Sequence, residues 1–282
     1  MTRLLAVMVA ATVAGVAAWT AVRDGPGRGV SSNVTSARTL SAREFWDTYK
    51  AAGERRAAGD CETAIRQYTR ALALRPGHED SLYYMGSCHV ERGERALALA
   101  AYQQLVDSNP EGSSRGYMQM GIVLASAGPD GRRELDAAER QFTRALAVDP
   151  DSGAMLGLAE VAMLRRRWDE AARRLDAASA DNAMSIAAPY LQAYLSFRRG
   201  DRAAAWERFQ VAVSRGEMRK GPVAWSEEGN VKADPALRWR ALARQSLFGE
   251  QWIQVRRYLK PPGPVMADME REFRALAALI EP

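Results

Sequence analysis

The residues best suited to chemistry are two cysteines, Cys61 and Cys88, and two histidines, His78 and His89. Cys88 and His89 are adjacent, and a thiol with an imidazole can bind zinc or form a nucleophile and its base. Zinc sites need four ligands at recognisable spacing, and a nucleophile needs a base that a third group orients. Adjacent residues on a helix point in different directions, so we predict no catalytic residues and no metal site. The glycines stand singly rather than in a phosphate-binding loop, so we expect no cofactor.

The elements that position these residues follow from a repeated pattern of small and bulky side chains. Five alanines recur at intervals of 34, 40, 33 and 34 residues, and a ring or a leucine stands four residues after each. These pairs are Ala64 with Tyr68, Ala98 with Tyr102, Ala138 with Phe142, Ala171 with Leu175, and Ala205 with Phe209. A second small residue stands twelve positions earlier in four of the five copies, as Ala52 and Gly86 do. The spacing predicts pairs of helices with small residues where they cross.

A period near 34 residues, with two helices per unit and a proline after the second, resembles the tetratricopeptide repeat. Gly59, Gly93 and Gly200 stand between the two helices of a unit, where glycine adopts the left-handed backbone that ends a helix. The resemblance implies an all-α fold. It is a right-handed superhelical solenoid of antiparallel helix pairs, with about five to six repeats and a C-terminal capping helix. Each pair buries its apolar stripe against the next pair.

The chain is predicted to divide into five segments. Residues 1–22 contain nineteen consecutive uncharged residues and form either a signal peptide or an N-terminal membrane anchor. Residues 23–40 form a flexible linker, and residues 41–213 form repeats one to five. Residues 214–234 form a connecting loop, and residues 235–282 form a degenerate sixth repeat and a capping helix. Either alternative for the first segment exports the rest of the chain. We therefore expect a periplasmic or secreted protein, or one anchored in the inner membrane with its repeats outside the cytoplasm.

Export would also place the two cysteines in an oxidising compartment. In the repeat arrangement Cys61 begins the second helix of the first unit, and Cys88 lies late in the first helix of the second unit. Successive helices are antiparallel, so both thiols should lie near the same edge of the solenoid. A Cys61–Cys88 disulfide and two separate buried thiols both remain open.

The resemblance also implies where a partner binds. Tetratricopeptide proteins bind peptides or protein segments on the concave face, which the first helix of each unit lines. Carried over position by position, the expected partner-binding residues are Trp46, Tyr49, Arg56, Tyr83, Arg115, Met118, Tyr190, Tyr194, Phe197 and Arg198. Aromatic and arginine side chains often dominate the energy of protein interfaces. We expect a protein or peptide partner, and membrane contact through the first segment if it is not cleaved. Nucleic acid is not expected, because no reading motif accompanies the net charge of +5.

Two functions fit these expectations, and neither is enzymatic. The first is a non-catalytic scaffold or adaptor that binds an extended segment of a partner in its aromatic groove, in or across the cell envelope. The alternative is a structural subunit of a larger envelope complex, packed through its convex face or its basic C-terminal end. Residues 198–260 carry fourteen basic and seven acidic side chains. An adaptor should leave Tyr190, Tyr194 and Phe197 open to solvent, whereas a structural subunit should bury them.

Overall fold

The computed structural model of the chain describes residues 28–109, 111–218 and 235–281. The predicted leader, residues 1–22, and most of the predicted connecting loop lie outside the described residues. Within the part of the chain that is described, no helix combines the length and the apolar character needed to span a membrane.

The described residues form helix pairs in the order that the repeat spacing predicts. The first five pairs are α1 (Arg28–Ala57) with α2 (Cys61–Leu74), α3 (Glu79–Glu91) with α4 (Arg95–Asp107), α5 (Ser114–Ala125) with α6 (Leu135–Val148), α7 (Ser152–Leu164) with α8 (Trp168–Asp181), and α9 (Ala187–Arg198) with α10 (Arg202–Met218). A C-terminal part follows, with α11 (Pro235–Ala243), α12 (Gly249–Trp252), a 3-10 helix (Ile253–Tyr258) and α13 (Met266–Ile280). From α2 to α10, each helix packs on the next. The predicted all-α solenoid of antiparallel helix pairs is confirmed.

Two predicted boundaries are wrong because helices continue where a linker or a loop was expected. Helix α1 begins at Arg28, inside the predicted linker. Residues 28–40 are therefore helical, and no proline or glycine interrupts the helix between Val30 and Gly53. At the other end of the repeats, α10 continues to Met218, where a loop from residue 214 was expected. Gly216 is buried there, and a Cβ on it would lie 3.1 Å from Leu259, so close packing against the C-terminal part prolongs the helix.

A bulky side chain of a second helix fills the space beside small residues of the first helix of its own repeat, and in one case also of the next repeat. A Cβ built on Gly86 would lie 2.5 Å from the ring of Tyr102. Cβ atoms on Gly121 and Gly157 would lie 2.8 and 2.3 Å from the ring of Phe142. Real Cβ atoms do not approach other atoms so closely, so the rings occupy the space that glycine leaves empty. The small residues in the repeat pattern therefore set the distance between helices.

The predicted sixth repeat is not a helix pair. Where its second helix was expected, the chain forms only the four residues of α12 and the six residues of the 3-10 helix. A Cβ on Gly249 would lie 1.8 Å from the carbonyl oxygen of Ala243, so the backbone doubles back on α11 at a distance that only glycine permits. The predicted capping helix is present as α13, which buries Met269 and Phe273.

We expect Gly86→Ala to lower the free energy of unfolding by about 1–3 kcal/mol, because the new methyl group meets the buried Tyr102 ring. Denaturant unfolding followed by circular dichroism measures the change. Ser87→Ala is a matched control at the next, half-buried position and should change stability far less. Equal stability of Gly86→Ala and the wild type would show that the ring does not set the spacing.

Candidate functional site

The side of the solenoid formed by the first helices α1, α3, α5, α7 and α9 is called the inner face here. An open cleft of about 660 Å³ lies on this face across α3 and α5. Arg56 of α1 and the loops before α5 and α7 complete its sides. Ala241, Arg244 and Gln245 of the C-terminal part also line the cleft. Residues of the C-terminal part thus form one wall of the cleft.

Two tyrosines in the cleft carry stacked arginines. The guanidinium carbon of Arg115 lies 3.4 Å from the ring centroid of Tyr83, and that of Arg56 lies 4.2 Å from the centroid of Tyr84. Asp80 accepts a hydrogen bond of 2.7 Å from Nη1 of Arg115 and holds that side chain over the ring. Such stacks combine cation–π attraction with a flat apolar surface. Tyr83, Arg56 and Arg115 are half-buried whereas Tyr84 is 7 % exposed, so the cleft offers a ligand mainly the Tyr83 ring and the two guanidinium groups.

The structure brings four of the ten predicted partner-binding residues together in the cleft. They are Arg56, Tyr83, Arg115 and Met118. Their common origin is the first helix of a repeat, which turns the same helical face toward the groove in each unit. Their role in binding a partner stays a prediction.

Trp46 and Tyr49 belong to a separate aromatic cluster in the first repeat. Their rings lie 6.0 and 5.1 Å from the ring of His78, and the Phe45 ring is 4.8 Å from it. Trp46 remains 46 % exposed, but neither it nor Tyr49 lines the cleft. The predicted partner-binding residues of the first repeat are therefore divided, because Arg56 lines the cleft and Trp46 and Tyr49 do not.

Most residues that line the cleft were not identified from the sequence, and Tyr84, Gln119 and Arg244 are three examples. Tyr84 follows Tyr83 directly, and the repeat register assigned only Tyr83 to the groove. Gln119 lines the cleft although it is only 7 % exposed. Arg244 reaches the cleft from the end of α11 and pairs with Glu91 at 2.6 Å. The position of Arg244 could not be predicted from the sequence, because the repeat pattern does not determine where the C-terminal part packs.

Beyond the cleft, a buried carboxylate binds the C-terminal part to the inner face. Glu160 of α7 is fully buried, and its carboxylate accepts a hydrogen bond from the hydroxyl of Ser246. It also accepts hydrogen bonds from two backbone N–H groups, that of Leu247 at 2.9 Å and that of Phe248 at 3.4 Å. The indole Nε1 of Trp252 donates to the Ser246 hydroxyl at 2.8 Å. Burial raises the pKa of Glu160 to about 7, although its three donors act in the opposite direction.

The predicted exposure of Tyr190 and Tyr194 is wrong. Both are buried, at 0 and 1 % exposure, because α13 lies over the inner face of α9. Phe197 is partly buried in the same core, with its ring centroid 5.5 Å from that of Phe273. The chain's own apolar helix thus occupies the place where an external ligand was expected.

Arg198 also turns toward this internal contact. Its Nε donates to Glu281 at 2.8 Å, and its guanidinium carbon lies 3.7 Å from the ring centroid of Trp168. The side chain therefore connects α8 and the end of α13, and it does not line the cleft.

The two cysteines lie next to each other, as the repeat arrangement predicts. Cys61 begins α2 and Cys88 lies near the end of α3, both buried, with their Sγ atoms 2.7 Å apart as free thiols. Burial raises the pKa of each thiol. Protonated, buried thiols are poor nucleophiles, so the position favours a structural role. The disulfide remains a prediction.

The Nδ1 atom of each histidine contacts a group other than the thiols. Nδ1 of His89 lies 2.7 Å from Glu94, and Nδ1 of His78 accepts from the backbone N–H of Ser81 at the start of α3. Among the described residues, no three His, Cys, Asp or Glu side chains form a group that could hold a metal ion.

Comparison with known proteins identifies the class of fold. The tetratricopeptide repeat family model matches residues 49–113 and 131–185. A tetratricopeptide repeat protein from Thermus thermophilus shares 21 % identity with a TM-score of 0.52, over 62 % of this chain and 93 % of that one. Another, from Parabacteroides merdae, shares 20 % identity with a TM-score of 0.50, over 84 % of this chain and 81 % of that one. No curated protein sequence matches the chain.

The fold is therefore that of tetratricopeptide repeat proteins, whose family model matches part of the chain and whose helix pairs the chain reproduces. Proteins of this family are generally non-catalytic scaffolds for protein–protein interaction. The fold therefore supports a protein or peptide partner.

Stability should depend on pH through Glu160. Its pKa is raised from 4.5 to about 7 in the folded chain, so the stabilising contribution is complete below pH 4.5 and is lost as the pH rises through 7, by about 3 kcal/mol. Denaturant unfolding between pH 4.5 and 8 measures the slope. Glu160→Gln should flatten it, and an unchanged slope in that variant would assign the dependence to other groups.

If the two thiols are oxidised by a small-molecule disulfide while the chain refolds and they are still accessible, the resulting bridge should stabilise the protein by about 3 kcal/mol, because it restricts the unfolded chain. The thermal midpoint of the oxidised protein should then fall when reductant is added. Cys61→Ser should show no response to either reagent. If the thermal midpoint of the oxidised wild type does not change when reductant is added, a stabilising disulfide is refuted.

Proposed function

We propose that the protein is a non-catalytic adaptor that binds a segment of a partner protein in the cleft across α3 and α5. The observation that carries this proposal is the pair of tyrosine–arginine stacks, Tyr83 with Arg115 and Tyr84 with Arg56, in an open cleft of about 660 Å³. Rings and guanidinium groups held in place are the side chains that most often dominate binding energy. The cleft volume is within the range of pockets that bind compact ligands.

The partner segment is short. Ala241, Arg244 and Gln245 form a wall of the cleft, and beyond them the C-terminal part is bound to Glu160. A long segment that follows every repeat would collide with this part of the chain. The proposal therefore differs from the extended groove inferred from the sequence, because it places the ligand over the second and third repeats alone.

We also propose that the protein acts outside the cytoplasm, as a periplasmic or secreted protein or as one anchored in the inner membrane. Support comes from the uncharged run between Arg3 and Arg23, which has the length and composition of a signal peptide or an anchor. The adjacent cysteines agree with an oxidising compartment.

A structural subunit is the second candidate, and one observation favours it. Tyr190 and Tyr194 are buried within the chain, which is the arrangement expected of a subunit whose groove is filled internally. Such a subunit would contact its complex through the second helices of the repeats or through the basic C-terminal part.

A photo-crosslinking amino acid placed in the full-length protein distinguishes the two candidates. At Ser87, inside the cleft, it should form a partner adduct in the native envelope, and at Arg140, exposed on α6, it should not. Tyr83→Ala and Arg115→Ala should each reduce the Ser87 adduct by about tenfold or more, because each removes half of a stack.

The matched control is Arg144→Ala, an exposed arginine on α6 outside the cleft, which should leave the adduct unchanged. Circular dichroism confirms that each variant retains its helices. An adduct formed at Arg140 and absent at Ser87 would reject the cleft and favour the structural subunit.

A further inference from the structure

The inner face of α9 carries an aromatic surface that α13 covers. The ring centroid of Phe273 lies 5.4 Å from that of Tyr190, 5.9 Å from that of Tyr194 and 5.5 Å from that of Phe197. Met269 is fully buried on the same side of α13. An amphipathic helix in an aromatic groove is a recurring mode of protein recognition, and here both parts belong to one chain.

The chemical match between these two surfaces is incomplete. The hydroxyl groups of Tyr190 and Tyr194 are buried without a hydrogen-bond partner among the described residues. Glu272 of α13 contributes a nearby negative charge, but it accepts its hydrogen bond from Tyr258 at 2.6 Å. A buried hydroxyl without a partner loses its bonds to water and gains nothing in return. The covered face thus has two hydrogen-bond donors that α13 does not use.

The ion pairs at the edge of α13 contribute little to its binding. Arg198 pairs with Glu281 at 2.8 Å, and Arg202 pairs with Glu270, and the arginines are about one-third to one-half exposed. Ion pairs between solvent-exposed side chains contribute little to stability. The apolar side chains of α13 therefore hold the helix in place, and another helix with a similar apolar face could make the same contacts.

We propose that the inner face of α9 is a binding site for an amphipathic helix, that α13 is its intramolecular occupant, and that a partner helix with hydrogen-bond acceptors opposite Tyr190 and Tyr194 replaces α13. The partner gains two hydrogen bonds that α13 does not make. This site is separate from the cleft across α3 and α5, so either can exist without the other.

Hydrogen exchange of the wild-type chain tests whether α13 opens by itself. The amides of α13 should exchange at least about tenfold faster than those of α10, because α13 can leave the solenoid while the repeats stay folded. Equal exchange rates for the two helices would mean that α13 opens only when the whole protein unfolds, and would overturn the proposal.

A peptide probe tests the site itself. A fluorescent peptide of residues 265–281 should bind the full-length Phe273→Ala variant at least about tenfold more tightly than the wild type, because the internal helix of the variant has lost its central ring. Leu279→Ala removes an exposed side chain of α13 and should bind like the wild type. Failure of the folded Phe273→Ala variant to bind the peptide would overturn the proposal.

Variants that lack the tyrosine hydroxyl groups test the proposal independently, even if the Phe273→Ala variant does not fold. Tyr190→Phe and Tyr194→Phe should leave the thermal midpoint of the full chain equal or higher, because each removes a hydroxyl that has no partner. A lower midpoint in both variants would show that the hydroxyls are bonded in the closed chain, and would overturn the proposal.

Discussion

The contact between one bulky side chain and a few small residues is the constraint on which the rest of the structure depends. Tyr102 lies where a Cβ on Gly86 would be, and Phe142 occupies the space beside Gly121 and Gly157. Each such contact fixes the distance between two helices, and the next repeat packs on the surface that results. The cleft follows from this spacing, because its rings and arginines come from successive first helices held at a regular interval.

Most of the repeat architecture was predictable, since it is encoded locally. Alanine and ring positions placed the helix pairs from α1 to α10, and the glycine turns appeared with positive φ at Gly59, Gly93 and Gly200. The start of α1 was missed because residues 23–40 were assigned to a flexible linker, although no proline or glycine interrupts the helix between Val30 and Gly53. The C-terminal part was missed for a different reason: close packing at Gly249, rather than repeat spacing, decides its path.

The candidate site shows the same division between local and non-local information. Tyr83 and Arg115 were identified because repeat register alone determines which face they occupy. Tyr190 and Tyr194 were assigned to the same face, and they do lie there, but their exposure depends on a helix that follows about eighty residues later in the chain. Helical spacing in α13 indicated an apolar stripe without indicating what the stripe would cover. Residue type and register thus predicted the composition of the inner face, and only the structure separated its open part from its covered part.

The contacts of Glu160 with the turn at Ser246 join positions 86 to 88 residues apart, and Arg198 reaches Glu281 across 83 residues. The repeats, in contrast, are joined by contacts between neighbouring helices. Local contacts form early and distant ones late, because closing a long loop costs entropy before any contact compensates for it. During synthesis from the N-terminus, the repeats are complete before α13 emerges. In the nascent chain the aromatic face of α9 is therefore exposed, and other proteins can contact it before α13 has been synthesised and packed.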